Sequence, residues 1–125
     1  VGMCFSGGFA LGMMVDDIML APVLSQPSLP FAVGKARGAD LNLSPDDAAA
    51  IAERAAAGCQ VLGLRFTGDK LVGDRFSSLR ELLGDAFIAV ELPSAKASDH
   101  SVLTEQRDEP SVARVLDFFV EKLQS

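Results

Sequence analysis

The chain has 125 residues, about the size of one domain, and its composition of 49% hydrophobic and 22% charged residues excludes a disordered chain. The net charge of −6, scattered basic residues and the absence of Trp and Tyr argue against nucleic acid as a partner. A membrane span is excluded because Asp16 and Asp17 interrupt the longest apolar runs. With no basic region before an apolar run at the start, we expect a cytoplasmic location.

The few cysteines and the single histidine limit metal and disulfide chemistry. Cys4, Cys59 and His100 cannot supply the four ligands of a structural zinc site, so we expect no metal. The two cysteines are predicted at opposite ends of a sheet, about 15 Å or more apart at roughly 3.3 Å per strand residue, which argues against a disulfide.

The first half of the chain predicts strand, turn, helix, strand, loop and helix in that order. The clearest element is a helix that Ser44 caps, with Pro45 at the first helical position and Gly58 after the last turn. The preceding elements are a short strand at residues 1–3, a helix at 9–15, a buried strand at 18–24 and a long loop at 25–43.

The second half adds two strands and two helices. Asp74 is expected to cap one helix, which Gly84 ends, and apolar residues spaced three and four apart predict a final amphipathic helix over the sheet. The predicted bounds are 60–66 and 86–92 for the strands, 74–83 and 110–123 for the helices, and 93–100 for the loop between the last strand and the last helix.

Strands that alternate with helices indicate an α/β fold, with parallel strands and flanking helices. In such sheets, reactive groups collect in the loops at the carboxyl ends of the strands. We therefore interpret residues 1–125 as a single α/β domain and examine three of those loops for chemistry.

The first loop has the form of a nucleophile elbow, in which small residues surround an exposed nucleophile between a strand and a helix. Gly2-Met3-Cys4-Phe5-Ser6 has this form and makes Cys4 the candidate nucleophile, with the Phe5 N–H as one oxyanion donor. The helix that follows points its N-terminus at the sulfur and favours the thiolate.

The other two loops supply an acid and a base. Asp69 follows the strand at 60–66, and His100 ends the loop after the strand at 86–92. Nucleophile, acid and histidine thus occur in the chain order of α/β-hydrolases. His100 would exchange a proton with Cys4, and Asp69 would orient His100. Asp99, beside His100, is a rival for Asp69.

These residues resemble the dienelactone hydrolase family of α/β-hydrolases. The family's turn of Gly-x-Cys-x-Gly-Gly is similar to Gly2-Met3-Cys4-Phe5-Ser6-Gly7-Gly8, its acid follows a glycine as in Gly68-Asp69, and its histidine often precedes serine as in His100-Ser101. The resemblance implies hydrolysis of ester or lactone bonds through a Cys-His-Asp triad and an acyl-enzyme, without metal or cofactor. Arg37 and Arg65 are candidates to bind a substrate carboxylate, although surface ion pairing explains them better.

One departure from the family concerns the nucleophile. Ser6 replaces the glycine expected two places after Cys4, so a second register makes Ser6 the nucleophile of Cys4-Phe5-Ser6-Gly7-Gly8. Both registers satisfy the small-x-nucleophile-x-small rule. We favour Cys4, because Gly2 then occupies the family's place before the turn.

A second departure is that the turn begins at residue 2, where the family has about four earlier strands. We therefore expect the chain to be the C-terminal half of an α/β-hydrolase, a partial fold that lacks the loop with the second oxyanion donor. The alternative is a truncated, non-catalytic remnant that acts as an interaction module. An exposed sheet edge would then favour a homodimer.

Overall fold

Four parallel strands form the centre of the molecule in the computed structural model, which describes residues 1–28, 39–96 and 98–124. The strands are β1 (Gly2–Met3), β2 (Val23–Ser25), β3 (Val61–Phe66) and β4 (Phe87–Leu92), and they lie in the order β1-β2-β3-β4. Every neighbouring pair is parallel. The loops after the four strands therefore meet at one edge of the sheet, and the predicted α/β class is confirmed.

Helices flank this sheet. Their bounds are α1 (Gly7–Gly12), α2 (Pro45–Ala56), α3 (Arg75–Leu83) and α4 (Glu109–Leu123). Short 3₁₀ segments occupy Cys4–Ser6, Met13–Val15 and Gly84–Ala86. Among these helices, none is both long and apolar enough to cross a membrane.

The helix ends follow the local chemistry of the sequence. Ser44 Oγ accepts a hydrogen bond from the Asp47 N–H at 3.1 Å and caps α2, as predicted. Asp108 caps α4 in the same way, through the Ser111 N–H at 2.9 Å. Asp74 occupies the predicted N-cap position of α3, but its side chain makes no hydrogen bond to the first turn. The prediction that the Asp74 side chain caps this helix is therefore wrong.

Apolar side chains cover both faces of the sheet. On β2 the adjacent residues Val23 and Leu24 belong to different core clusters, because successive strand residues face opposite sides. Phe76 of α3 packs in one cluster and Phe118 of α4 in the other. Burial on both faces explains why these strands are continuous apolar runs in the sequence.

The largest difference from the prediction is the second strand. The apolar run 18–24 predicts a strand of that length, but β2 begins at Val23, and Ile18 is 83% exposed. The earlier residues instead form a turn, in which Asp16 accepts a hydrogen bond from the Ile18 N–H.

The helix predicted at 9–15 begins earlier, at Gly7, and changes to 3₁₀ geometry at Met13. Of the predicted loop 25–43, residues 29–38 lie outside the described residues.

Candidate active site

Cys4 lies in a sharp turn between β1 and α1. Its φ is +56°, in the left-handed region that residues with a Cβ rarely adopt. The turn is tight enough that a Cβ on Gly2 would lie 2.2 Å from the Ser6 carbonyl oxygen and 2.8 Å from Ala10 Cβ. Glycine at position 2 is therefore a steric requirement of this turn, as expected for a nucleophile elbow.

The turn places the Cys4 thiol against His100. Cys4 Sγ lies 2.7 Å from His100 Nε2, although the two residues are 96 positions apart in the chain. Nδ1 of the same ring donates a short hydrogen bond to Asp69 Oδ2. The structure thus brings together the three residues that the sequence predicts as nucleophile, base and acid, in the order sulfur, imidazole, carboxylate.

Asp69 is held in a fixed orientation behind the histidine. Its side chain is almost completely buried, and its second oxygen, Oδ1, accepts the Leu71 N–H at 3.0 Å. The Asp69 N–H donates to the Phe66 carbonyl at 3.1 Å, which makes a tight turn directly after β3. Both carboxylate oxygens therefore have defined roles, and Oδ2 remains directed at the imidazole.

The environment of His100 favours its charged form. Burial is the largest single influence and lowers the pKa of His100, but the hydrogen bonds and charges of Cys4 and Asp69 together raise this pKa above its ordinary value of 6.5. A protonated imidazole that donates through Nε2 to the sulfur stabilises a thiolate, which is the nucleophilic form of cysteine. The contact and the raised pKa of His100 therefore both favour an imidazolium beside a thiolate.

The loop that carries His100 is fastened by side chains on either side. Gln106 Oε1 accepts hydrogen bonds from the N–H groups of His100 at 3.2 Å and Ser101 at 2.9 Å. Asp99 Oδ2 accepts the N–H groups of Ala95 and Lys96 at 2.8 and 2.9 Å. Asp99 therefore shapes the loop, while Asp69 is the carboxylate that contacts His100.

Ser6, the alternative nucleophile, is directed away from the imidazole. Its exposed hydroxyl donates to the Met3 carbonyl at 2.8 Å and accepts the Met3 N–H at 2.9 Å, which closes the turn on itself. Phe5, the candidate oxyanion donor, is the central residue of the 3₁₀ segment that starts at Cys4. In this arrangement Cys4, and not Ser6, contacts His100.

Two residues of the loop after β2 belong to the site without having been predicted from the sequence. The buried Ser28 has its Oγ 3.4 Å from Cys4 Sγ, and its N–H donates to the Cys4 carbonyl at 3.2 Å. Gln26, two residues before Ser28, has a φ of +51° and is 1% exposed. A left-handed φ on a buried non-glycine residue is the structural sign of a constrained position, and the sequence carries no motif for it.

A cavity of about 290 Å³ opens beside the thiol. The residues that line it come from the turn at Cys4, the end of β2 and the loop that begins at His100. Its lining consists of Met3, Cys4, Ser25, Gln26, His100, Ser101, Leu103 and Thr104. A volume of this size accommodates a small acyl group next to the sulfur.

The remaining polar candidates have other roles. Arg65 pairs with Glu91, with 2.8 Å between Nη2 and Oε2, and stacks on the Phe76 ring, which agrees with the ion-pairing interpretation. Arg37 lies outside the described residues. Neither Cys4 nor Cys59 is in a disulfide bond. Within the described part of the chain, no group of three or more His, Cys, Asp or Glu side chains is placed to hold a metal ion.

Comparisons with known proteins give no significant match. The sequence matches no protein-family model, and neither the curated proteins nor the solved structures compared with it show a significant similarity. The fold class and the geometry of the site are therefore the basis for any functional conclusion.

Proposed function

We propose that the protein is a hydrolase of ester or lactone bonds, similar in chemistry to the dienelactone hydrolase family. One observation carries the proposal, namely the hydrogen-bonded series from Cys4 Sγ through both nitrogens of His100 to Asp69. A positioned nucleophile, base and orienting carboxylate are the recurring parts of covalent acyl transfer. The left-handed Cys4 at a strand-to-helix turn further supports a partial α/β-hydrolase fold.

The site supports a two-step reaction. The Cys4 thiolate attacks the acyl carbon, and the resulting oxyanion collapses to expel the alcohol oxygen, which takes the proton from His100 Nε2. A thioester on Cys4 remains. Water then attacks this thioester while His100 removes its proton, and the sulfur leaves as the acid is released. Asp69 holds the imidazole in the required tautomer throughout, and the Phe5 N–H is one donor to the oxyanion.

The proposal includes neither a metal nor an organic cofactor, and its substrate is a small-molecule ester or lactone. It also places the protein in the cytoplasm, where reducing conditions keep thiols free. Cys4 and Cys59 are both unbridged, which is compatible with such a compartment.

Intact-mass spectrometry of the chain tests this function directly. We expect p-nitrophenyl acetate to leave one acetyl group on Cys4, and iodoacetamide to alkylate Cys4 faster than Cys59 at neutral pH. His100→Ala should slow both reactions, whereas Cys59→Ser should leave them unchanged. A fluorophosphonate, which labels activated serines, distinguishes Ser6 from Cys4 as the nucleophile. Equal, His100-independent labelling of both cysteines would contradict the proposal.

A second candidate function is self-association of a non-catalytic interaction module. The observation that favours it is a group of exposed apolar side chains within residues 1–20, a segment that includes the edge strand β1, and we call this group the apolar edge. This group consists of Val1, Met3, Phe9, Met13, Val15, Ile18 and Leu20.

A further inference from the structure

Gln106 lies six positions after His100, between β4 and α4, and its side chain is bonded to the backbone of the histidine. Its side-chain oxygen, Oε1, accepts the N–H groups of His100 at 3.2 Å and Ser101 at 2.9 Å. A backbone N–H can only donate, so the accepting atom must be the amide oxygen, and both of its lone pairs are used. The Gln106 N–H donates to the Ser101 carbonyl at 3.0 Å. Side chain and backbone of one glutamine therefore hold the segment that carries the candidate base.

Gln26 binds the next N–H of the same segment. Its Oε1 accepts the Val102 N–H at 3.0 Å, so the three consecutive backbone N–H groups of residues 100–102 are all bonded to glutamine oxygens. Ser28, two residues after Gln26, donates its own N–H to the Cys4 carbonyl at 3.2 Å. The loop after β2 therefore connects the segment that carries the base to the turn that carries the thiol.

The ring of His100 has to meet two partners at once. It contacts Cys4 Sγ through Nε2 at 2.7 Å and Asp69 Oδ2 through Nδ1. An imidazole that spans two partners contacts both of them only while its backbone stays in one place. In the described residues between β4 and α4 the chain forms no helix or strand, so its backbone N–H groups need other acceptors. Side-chain oxygens thus supply the constraint that regular secondary structure supplies elsewhere.

We propose that Gln106 is a positioning residue that keeps the imidazole of His100 within hydrogen-bond distance of Cys4. The inference rests on the proposed hydrolase function for its effect on acyl transfer, while the pairing itself is measurable without an ester. Gln106 is uncharged and half-buried, so it acts through the backbone that it holds and not through a charge of its own. A displacement of about 1 Å at a reacting group can lower a rate on the order of 10²-fold, so the anchoring of this backbone matters for the chemistry.

The pH dependence of Cys4 alkylation reports the position of the imidazole. Gln106→Met removes the accepting oxygen and keeps a side chain of similar length. We expect it to raise the midpoint of alkylation by iodoacetamide toward pH 8.5, the approximate pKa of an ordinary thiol, because the imidazole no longer stays beside the sulfur. Acylation of Cys4 by p-nitrophenyl acetate should fall by roughly 10²-fold. A residue that only stabilised the fold would lower the Tm without moving the midpoint.

Matched variants separate the hydrogen bonds from other effects of the substitution. Gln106→Glu keeps side-chain oxygens that can accept both N–H groups, and it should retain a low midpoint. Gln60→Met makes the same replacement just before β3, at the opposite end of that strand from Asp69, and it should also retain the wild-type midpoint. Gln106→Ala removes the oxygen with a smaller side chain, and it decides the matter if circular dichroism shows Gln106→Met to be unfolded.

The outcomes distinguish this inference from the proposed function. A wild-type midpoint in folded Gln106→Met overturns the inference alone, and so does an equal rise of the midpoint in Gln106→Met and Gln106→Glu. A midpoint near pH 8.5 in the wild type also overturns it, because His100 is then not paired with a thiolate. A wild-type chain that has a low midpoint but forms no acyl-enzyme overturns the proposed function, while a raised midpoint in Gln106→Met still supports the inference.

Discussion

At the scale of single residues, the chemistry depends on how His100 and Cys4 share a proton. The raised pKa of His100 means that its ring stays protonated to a higher pH than an ordinary imidazole. A cation 2.7 Å from the sulfur stabilises the thiolate, so the thiol is expected to lose its proton at a lower pH than an unpaired cysteine.

The pH dependence of alkylation tests this pairing. In the wild type, the rate of Cys4 alkylation by iodoacetamide should reach half its maximum well below pH 8.5, the approximate pKa of an ordinary thiol. In His100→Gln the cation is lost, and the midpoint should rise toward that value. The measurement is the alkylation rate from pH 5 to 10, with Cys59 as the internal reference. Identical midpoints for Cys4 in the two proteins would refute the ion pair.

Ser28 should add to the same stabilisation. Its hydroxyl lies 3.4 Å from Cys4 Sγ and can donate to the thiolate. A hydrogen bond to a charged group contributes about 1.5–3 kcal/mol, so Ser28→Ala should raise the pH midpoint of Cys4 alkylation by about one to two units. Alkylation kinetics measure this change. Ser101→Ala, which alters another small residue of the cavity, provides the comparison.

The sequence predicts the three residues that contact one another at the candidate site, but not the residues around them. Cys4, Asp69 and His100 could be predicted because each follows a strand and their order has a known precedent. Gln26 and Ser28 could not, since a Gln and a Ser in a proline-containing loop have no chemical signature. Their roles depend on a left-handed backbone and on contacts with residues far along the chain, such as Val102.

At the scale of elements, the turn from β1 to α1 is the feature that presents the thiol. Gly2→Ala would place a Cβ 2.2 Å from the Ser6 carbonyl oxygen, which belongs to the backbone and cannot rotate away. Overpacking of this kind costs about 1–3 kcal/mol, and the turn should open. Gly8→Ala is the matched control, because its Cβ would lie 3.7 Å from the Leu41 carbonyl, an ordinary contact.

The readout for these two variants is the His100-dependent alkylation of Cys4. We expect Gly2→Ala to lose this dependence and Gly8→Ala to retain it. Thermal unfolding followed by circular dichroism should show a lower Tm only for the first variant. If both variants behave like the wild type, the steric account of the turn is wrong.

Arg75, the first residue of α3, connects this helix to the loop before it and to the segment before α2. Its buried guanidinium donates to the carbonyls of Asp40, Leu71 and Val72 at 2.6–3.1 Å. Burial lowers the pKa of Arg75, and the nearby charge of Asp40 offsets only part of this effect. Arg75→Met would leave these carbonyls without their donor and should reduce the free energy of unfolding by roughly 3 kcal/mol. Arg80→Met, at a more exposed ion pair with Glu91, should cost at most about 1 kcal/mol. Urea denaturation measures both, and equal losses would contradict this account.

The strand bounds illustrate what local sequence can specify. β3 begins within one residue of the prediction because almost its whole apolar run is buried, and β4 begins equally close to its predicted start although most of its residues are only half-buried. β2 is shorter than its apolar run, since Ile18 and Leu20 project into solvent rather than into the core. Periodicity cannot distinguish such exposed apolar residues from buried ones.

At the scale of the whole molecule, exposed apolar side chains are unevenly distributed along the chain. Most of the exposed large hydrophobic side chains in the described residues belong to the apolar edge, which includes Met3 of β1, while α4 contributes Leu116, Val120 and Leu123. Because edge strands and apolar patches both promote association, we expect copies of the chain to pair through the apolar edge.

Sedimentation velocity over a range of concentrations tests this pairing. Ile18→Lys, which places a charge at an 83% exposed position, should weaken the association roughly tenfold or more. Leu116→Lys makes the same change at an exposed residue of α4 and should have no effect. Self-association that is equally sensitive to both substitutions, or absent from the wild type, would exclude the apolar edge as the interface.

Because Cys4 and His100 are 96 positions apart, they are synthesised at different times during translation. At roughly 5–20 residues per second, the nascent chain carries Cys4 for about 5–20 s before His100 has been synthesised. During that interval the thiol has no imidazole beside it and behaves like any other cysteine. Under the proposed function, Cys4 therefore becomes an activated nucleophile only when β4 and the loop after it have joined the sheet, and the unfinished chain does not react with esters around it.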